Sequence, residues 1–307
     1  EHSIMLDGLI LDYDDSFFGK EDIDPEKSRV YVGLNPSGYS DPKTAQVRII
    51  SSLLQGTKSL NVDEEKDRDP YWTLMAYFNS IRELSGVSTL VHQDIKSGYM
   101  PQLQNRLYPD VFEKIGKLDK EKSSKAWLES PIRNIFQIKD LELTSRQTND
   151  ISEALKRLET SYPSENRDIV DICLATNMIS VGVDISRLGS MLVVGQPKTT
   201  SEYIQATSRV GRKYPGVVFV WYNNSRPRDK SHYEQFRAYH QKIYSKVEPT
   251  SITPFSNQVR ERALHSQIFI LAKYFGSRNA IDFPDNQTRK IIKQIILDKV
   301  AATDKSE

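Results

Sequence analysis

DICLATNMISVGVDISRLGSMLVVGQPKTTSEYIQATSRVGR, residues 171–212, is the stretch whose reading decides the fold. Ile172, Cys173, Leu174 and Ala175 form a short apolar run that reads as a buried strand. Gly182 and Asp184 then break the pattern, and Met191 to Val194 make a second apolar run. Pro197 stops that strand, and Thr199 or Thr200 caps a helix whose last turns carry Gln205, Arg209 and Arg212. The order is strand, loop, strand, loop, helix, with polar residues at the strand ends and at the helix end. In an open parallel sheet such ends line the crevice where ligands bind.

Arg209 and Arg212 are three apart, which makes them neighbours on one helix face. Gly211 between them suits a helix terminus. Two guanidinium forks on one short arc match a phosphate that gains charge in a transition state. Taken alone, the spacing is more simply read as a solvated arginine pair capping a helix C-terminus; the motifs around it reverse that preference.

Working outward, strands alternate with helices. RVYVGL (29–34) reads as a strand and Asn35-Pro36-Ser37-Gly38 as a turn. GLNPSGYS (33–40) has the spacing of a phosphate loop, but Tyr39 stands where the lysine belongs and Pro36 removes a backbone donor, so it is read as the turn. A helix follows from Asp41-Pro42 to near Gly56. WTLMAYF (72–78) reads as a strand tipped by Asn79-Ser80, with a helix through Ile81 and Leu84. Thr89-Leu90-Val91 is expected to be another strand. Residues 96–130 are polar and lysine-rich, and 118–125 is the clearest surface insertion. QIKDLELTSR (137–146) leads into a helix with Ile151, Leu155 and Leu158 on one face. A strand is expected at 217–223 and helices at 231 to about 244, 257–275 and 286–300. The pattern predicts an α/β fold, a three-layer domain with a mainly parallel sheet and a C-terminal helical extension. The expected divisions are an acidic lead-in with a strand and helix (1–69), the α/β lobe (70–245) and the extension (246–307).

Charge is uneven although the total is only +1. Residues 1–28 hold nine acids against Lys20 and Lys27; residues 198–247 hold ten bases against Glu202, Asp229 and Glu234, an excess of seven. That asymmetry points to a polyanion-facing half. Cys173 is the one cysteine and falls in a predicted core strand, which excludes a disulfide framework and indicates a reducing, cytoplasmic setting. No apolar run approaches the ~18–20 residues of a membrane span. The chain does not begin with Met and is read as part of something longer.

ATNMISVGVDI (175–185) and QATSRVGR (205–212) resemble motifs V and VI of the second RecA-like lobe of superfamily-two helicases and translocases, in the right order and separation. ELTSR (142–146), YNNSRPRDKSHYEQFRAYH (222–240) and VEPTSITPFS (247–256) resemble, more narrowly, the DrmA-type helicase of DISARM phage-defence systems, a likeness covering roughly residues 30–275. The resemblance implies an ATP-driven DNA helicase or translocase in which ATP with Mg²⁺ sits between two lobes. Arg209, Arg212 and Gln205 then match the motif VI fingers and glutamine, and Gly182 and Asp184 face the nucleotide. Thr176 matches the motif V threonine near the nucleic-acid backbone. One departure is visible: the residue after the glutamine, often Arg in relatives, is Ala206. The phosphate loop and the Mg²⁺-binding acid belong to a first lobe, so this segment alone is expected not to hydrolyse ATP. DNA, that first lobe and other defence-system subunits are the implied partners.

Two stretches are candidates for nucleic-acid contact. Thr144, Ser145 and Arg146 sit at a strand end, where hydroxyls and a guanidinium can hold a phosphate backbone; an N-cap beside a surface arginine reads as well. Arg226, Arg228, Lys230 and Arg237 are interleaved with Tyr and Phe, the composition of a groove that follows a backbone and stacks bases. A core helix with its arginine stems lying on the surface has the same composition. His232 and His240 have no Cys or carboxylate completing a ligand set, so no metal site is expected. The alternative to a motor lobe is a non-catalytic helicase-like module that binds DNA or a protein partner.

Overall fold

The structure, a computed structural model, describes residues 4–6, 9–11, 28–39, 41–117, 126, 129–134, 138–144, 151–163, 169–176, 185–248, 257–275 and 285–303. Strands β1 (Ile4–Leu6) and β2 (Leu9–Leu11) form an antiparallel pair, Met5 opposite Ile10. Six further strands make one parallel sheet: β3 (Arg29–Leu34), β4 (Leu74–Phe78), β5 (Asp140–Leu143), β6 (Ile172–Ala175), β7 (Ser190–Val194) and β8 (Gly216–Trp221). Their order across the sheet is β3-β8-β7-β4-β6-β5. The register places Met75 of β4 between Cys173 of β6 and Met191 of β7.

Successive strand residues point to opposite faces, and both faces are buried. On one, Met75, Tyr77, Cys173, Met191, Val193 and Val218 pack with Leu158, Tyr203 and Tyr239. On the other, Leu74, Ala76, Phe78, Leu174 and Leu192 pack with Ile50, Leu54, Leu84, Ile95 and Met100. This double burial explains why the strands read as near-continuous apolar runs rather than alternating ones. The result is the three-layer arrangement around a parallel sheet that the pattern predicts. The strand in the segment read as a lead-in, β3, is the sheet's edge and pairs with β8 along its whole length.

Helix α1 (Pro42–Ser59) starts where Asp41 accepts from the Lys43 and Thr44 amides. Helix α2 (Asp69–Trp72) enters β4, and α3 (Ile81–Leu90) leaves it, capped by Ser80, which accepts from the Glu83 amide. The strand expected at Thr89–Val91 is instead helical: Leu84, Val87, Val91 and Ile95 are all buried at helical spacing, and a π-helical turn (Val91–Tyr99) carries the chain into α4 (Met100–Leu107). Burial of that face outweighs the β preference of Thr and Val. Helices α5 (Pro109–Gly116) and α6 (Ile151–Glu159) follow. After β7 comes α7 (Thr200–Thr207); after β8, in place of one helix from 231, come α8 (Pro227–Glu234) and α9 (Phe236–Gln241). The chain divides into two units at Glu248. The second contains α10 (Asn257–Phe275) and α11 (Asn286–Thr303), the latter begun by Asp285, which accepts from the Thr288 amide at 2.7 Å.

Candidate functional site

A parallel sheet needs each connecting helix to run back from the carboxyl edge to the amino edge before the next strand begins. α7 does this between β7 and β8, and so the residues expected to line one crevice divide between opposite edges of the sheet. The Thr199 hydroxyl starts the helix by accepting from the Glu202 amide at 3.1 Å. The helix stops at Thr207, earlier than expected, so Arg209 and Arg212 do not share a helix face but flank a turn. Gly211 makes that turn with φ +71°, a left-handed conformation that glycine adopts without penalty. A Cβ there would stand 2.8 Å from the Gly216 Cα, so the two glycines meet backbone to backbone.

Three strands seat this loop at their amino ends. The Gly211 amide donates to the Leu188 carbonyl just before β7, at 2.8 Å. Arg29, the first residue of β3, donates from Nε to the Val210 carbonyl at 2.7 Å. The Gly216 amide, opening β8, donates to the Ser28 carbonyl at 2.9 Å. Leu188 is itself fixed by its neighbour: buried Arg187 donates to the Leu158 carbonyl (2.7 Å), the Thr73 hydroxyl (2.8 Å) and Asp69 (3.0 Å). Burial pushes the Arg187 pKa down, and Asp69 pulls against that shift. Within the loop, Arg212 Nε donates to the Ser208 carbonyl at 3.1 Å. Arg209 and Arg212 are half-buried, and Gln205 is exposed on α7.

The carboxyl edge holds the other group. Thr144 and Thr176 are both buried at the ends of β5 and β6. The Thr144 hydroxyl donates to Glu142 at 3.1 Å, and the Thr176 amide donates to the Leu143 carbonyl at 3.3 Å. Asn79 donates to the carbonyls of Val194 and Gly195, each at 3.2 Å, clasping the ends of β4 and β7. Buried Asp229 accepts from the Gln196 and Asn223 amides, both at 3.1 Å. Arg226 pairs with Glu83, and Arg228 donates to the carbonyls of Pro197 and Lys198. Arg237 is exposed on α9, whose Phe236 ring comes within 2.9 Å of where a Gly33 Cβ would stand. Both oxygens of Glu248 accept from the Thr200 amide, at 2.9 and 2.8 Å, which holds that carboxyl below the usual range.

Gly182, Asp184, Ser145 and Arg146 lie outside the described residues. Among the described residues no group of three or more His, Cys, Asp or Glu could hold a metal ion, and no helix is long and apolar enough to cross a membrane. Arg29, Arg187 and Glu83 have no motif to mark them, whereas Asn79 tips a predicted strand and Glu248 lies in the quoted stretch 247–256. Each acts through a partner more than 45 positions away in sequence.

Residues 132–214 match the family model of the helicase conserved C-terminal domain. The chain is 42% identical over 296 residues to the DISARM protein DrmA of Bacillus paralicheniformis, an alignment covering 92% of this chain and 24% of that protein. It thus spans about a quarter of the length of the curated relative it matches. Among solved structures, the DUF1998 helicase MrfA bound to DNA and AMPPNP aligns with a TM-score of 0.44 at 15% identity, over 84% of this chain and 28% of that one. The Mycobacterium smegmatis helicase Lhr bound to ssDNA and AMP-PNP aligns at 0.38 and 10%, over 83% and 24%.

Proposed function

We propose that this chain, which carries a helicase C-terminal domain, is the second motor lobe of an ATP-dependent DNA helicase or translocase of anti-phage defence. The observation that supports this most is the division of the candidate residues between the two sheet edges. The amino edge presents Arg209 and Arg212 on a turn fixed by Leu188, Gly216 and Arg29. The carboxyl edge holds Thr144 and Thr176 at the ends of β5 and β6 and, with β4 and β7 between, the basic segment 226–237 that follows β8. A motor needs its nucleotide and its track at separate surfaces of one rigid body.

In this reading Arg209 and Arg212 meet the phosphates of ATP, and Gln205, Gly182 and Asp184 complete this lobe's side. Two guanidinium forks suit phosphate oxygens, and an arginine finger accelerates phosphoryl transfer by ~10³–10⁵-fold. Mg²⁺, which a first lobe would mainly hold, would neutralise charge on the phosphates when bound. This lobe's own part is to deliver the arginines on a backbone that does not move. On the DNA side, Arg226 reaches a phosphate only by leaving Glu83, and Arg228 only by leaving two carbonyls, which makes exposed Arg237 the first contact.

The test uses the longer protein. Arg209→Ala or Arg212→Ala should lower kcat for DNA-stimulated ATP hydrolysis by about 10³-fold while DNA affinity is kept. A defect confined to DNA affinity would overturn the assignment and return the pair to helix capping.

A further inference from the structure

We infer that Arg29, on the edge strand β3, is the residue that positions the arginine-bearing loop, acting through the Val210 carbonyl. The inference rests on the reading of Arg209 and Arg212 as phosphate-facing groups.

The geometry is specific to this side chain. Arg29 Nε donates to the Val210 carbonyl at 2.7 Å, and that carbonyl lies between Arg209 and Gly211 in the chain. The stem of the same residue covers the two glycines. Its Cγ is 3.1 Å from where a Gly211 Cβ would stand and 3.2 Å from where one would stand on Gly216. One side chain therefore fills the space that the paired glycines leave and ties the peptide that carries the turn. Two residues along, on the same side of the strand, the Tyr31 hydroxyl meets the Thr207 hydroxyl at 3.3 Å, fixing the end of α7. Immediately before Arg29, the Ser28 carbonyl accepts from Gly216.

The loop 208–216 is thus gripped on both sides by one strand that lies about 180 positions upstream. Two further anchors act on the loop: the Leu188 carbonyl accepts from the Gly211 N–H, and the Tyr71 hydroxyl donates to the Pro215 carbonyl at 3.0 Å. Val210 is fully buried, so its side chain sets the depth of the loop, but a side chain in the core leaves the peptide planes on either side free to tilt. The Val210–Gly211 peptide is held at both ends, its N–H by Leu188 and its carbonyl by Arg29, and the tilt they fix together sets the direction in which Arg209 and Arg212 leave the backbone. A misplacement of about 1 Å at a reacting centre can cost ~10²-fold in rate.

The test compares Arg29→Met, Arg29→Lys and Arg209→Ala in the longer protein. Each is assayed for DNA-stimulated ATP hydrolysis, DNA affinity and melting temperature. Methionine keeps the stem over the glycines and removes the donor, so kcat should fall by about 10-fold to 10²-fold, with KM for ATP, DNA affinity and melting temperature little changed. Lysine keeps a donor that can fold back to the carbonyl and should recover part of the loss. Wild-type kcat in Arg29→Met, with Arg209→Ala impaired, would overturn the positioning role and leave the finger reading standing. Wild-type kcat in Arg209→Ala would overturn the finger reading itself, and this inference with it. Parallel losses of kcat, DNA affinity and melting temperature, with lysine no better than methionine, would reduce Arg29 to ordinary edge-strand packing.

Discussion

Removing the guanidinium of Arg133 should unfold the amino edge of the sheet at far lower denaturant, and the size of the effect follows from its surroundings. Arg133 is 1% exposed, the largest of the fully buried side chains. It donates to Asp171 from Nη2 at 2.6 Å and from Nε at 3.1 Å, to the Leu54 carbonyl at 3.0 Å and to the Trp72 carbonyl at 2.8 Å. Its guanidinium lies 4.0 Å from the centre of the Trp72 ring, which stacks on Tyr162 in turn. Asp171 also accepts from the Lys139 amide at 2.7 Å, so one ion pair joins α1, α2 and the starts of β5 and β6. Arg133→Met keeps the apolar stem but leaves a buried carboxylate without its counter-charge, which costs about 3–5 kcal/mol. With an m-value of about 3 kcal/mol/M, the urea midpoint should drop by roughly 1–2 M at constant m. Melting should fall by roughly 6–20 °C. The double variant Arg133→Met with Asp171→Leu should regain part of the loss, because a buried ion pair and an apolar pair of similar volume are nearly equivalent. Recovery stays partial, since the Lys139 amide then lacks its acceptor, worth about 1–3 kcal/mol. A cost below about 1 kcal/mol for Arg133→Met would refute the reasoning.

His240 should make the first unit less stable in mild acid. Its Nδ1 donates to the Phe236 carbonyl at 2.8 Å and its Nε2 accepts from the Tyr203 hydroxyl at 2.9 Å, an arrangement that suits the neutral ring. Burial holds its pKa below the ordinary 6.5, with a smaller push from His232. The unfolded chain therefore binds the proton first, so stability is complete above about pH 6.5 and declines as pH falls below it. Urea midpoints between pH 5 and 8 should show that slope in wild type and a shallower one in His240→Gln; equal slopes would exclude the histidine as its source. Cys173 is fully buried, and burial pushes its thiol pKa up. A disulfide reagent should therefore label it only at the rate of global unfolding, and fast labelling of native protein would contradict its place in the core.

The sheet was legible because its strands are buried on both faces, and Cys173 to Ala175 or Met191 to Val194 have no polar residue to obscure the run. The first α7 turn was legible from Thr199, whose hydroxyl does what the cap pattern requires. The end of α7 was not, because a helix continued through Arg209 and one ended at Thr207 present the same residues. What decides between them is the contact of Gly211 with Gly216 and the grip of Arg29, both set by the order of strands in the sheet. Internal neutralisation at Arg226 was half legible. Asp229 stands three residues from Arg226 in the sequence, yet it caps the Gln196 and Asn223 amides while the partner of Arg226 is Glu83, on α3. Sequence neighbours suggest that charges are matched; only the topology says with what.

The same topology gives α7 a role beyond filling a layer. Its eight residues span about 12 Å along the sheet. One end is held at the carboxyl edge by Glu248 on the Thr200 amide and by the Tyr239 hydroxyl on Thr200 Oγ1 at 3.2 Å. The other delivers the loop that Arg29 seats at the amino edge. Glu248 and Tyr239 belong to the segment after β8, which also supplies Arg226, Arg228 and Arg237. A displacement of that segment by a bound backbone would therefore load the start of α7 directly. A helix with Tyr203 and Ala206 buried in the core can pass such a load on only as a rigid shift. Under the proposed reading, the short helix between β7 and β8 is the physical connection between the edge assigned to the track and the edge assigned to the nucleotide.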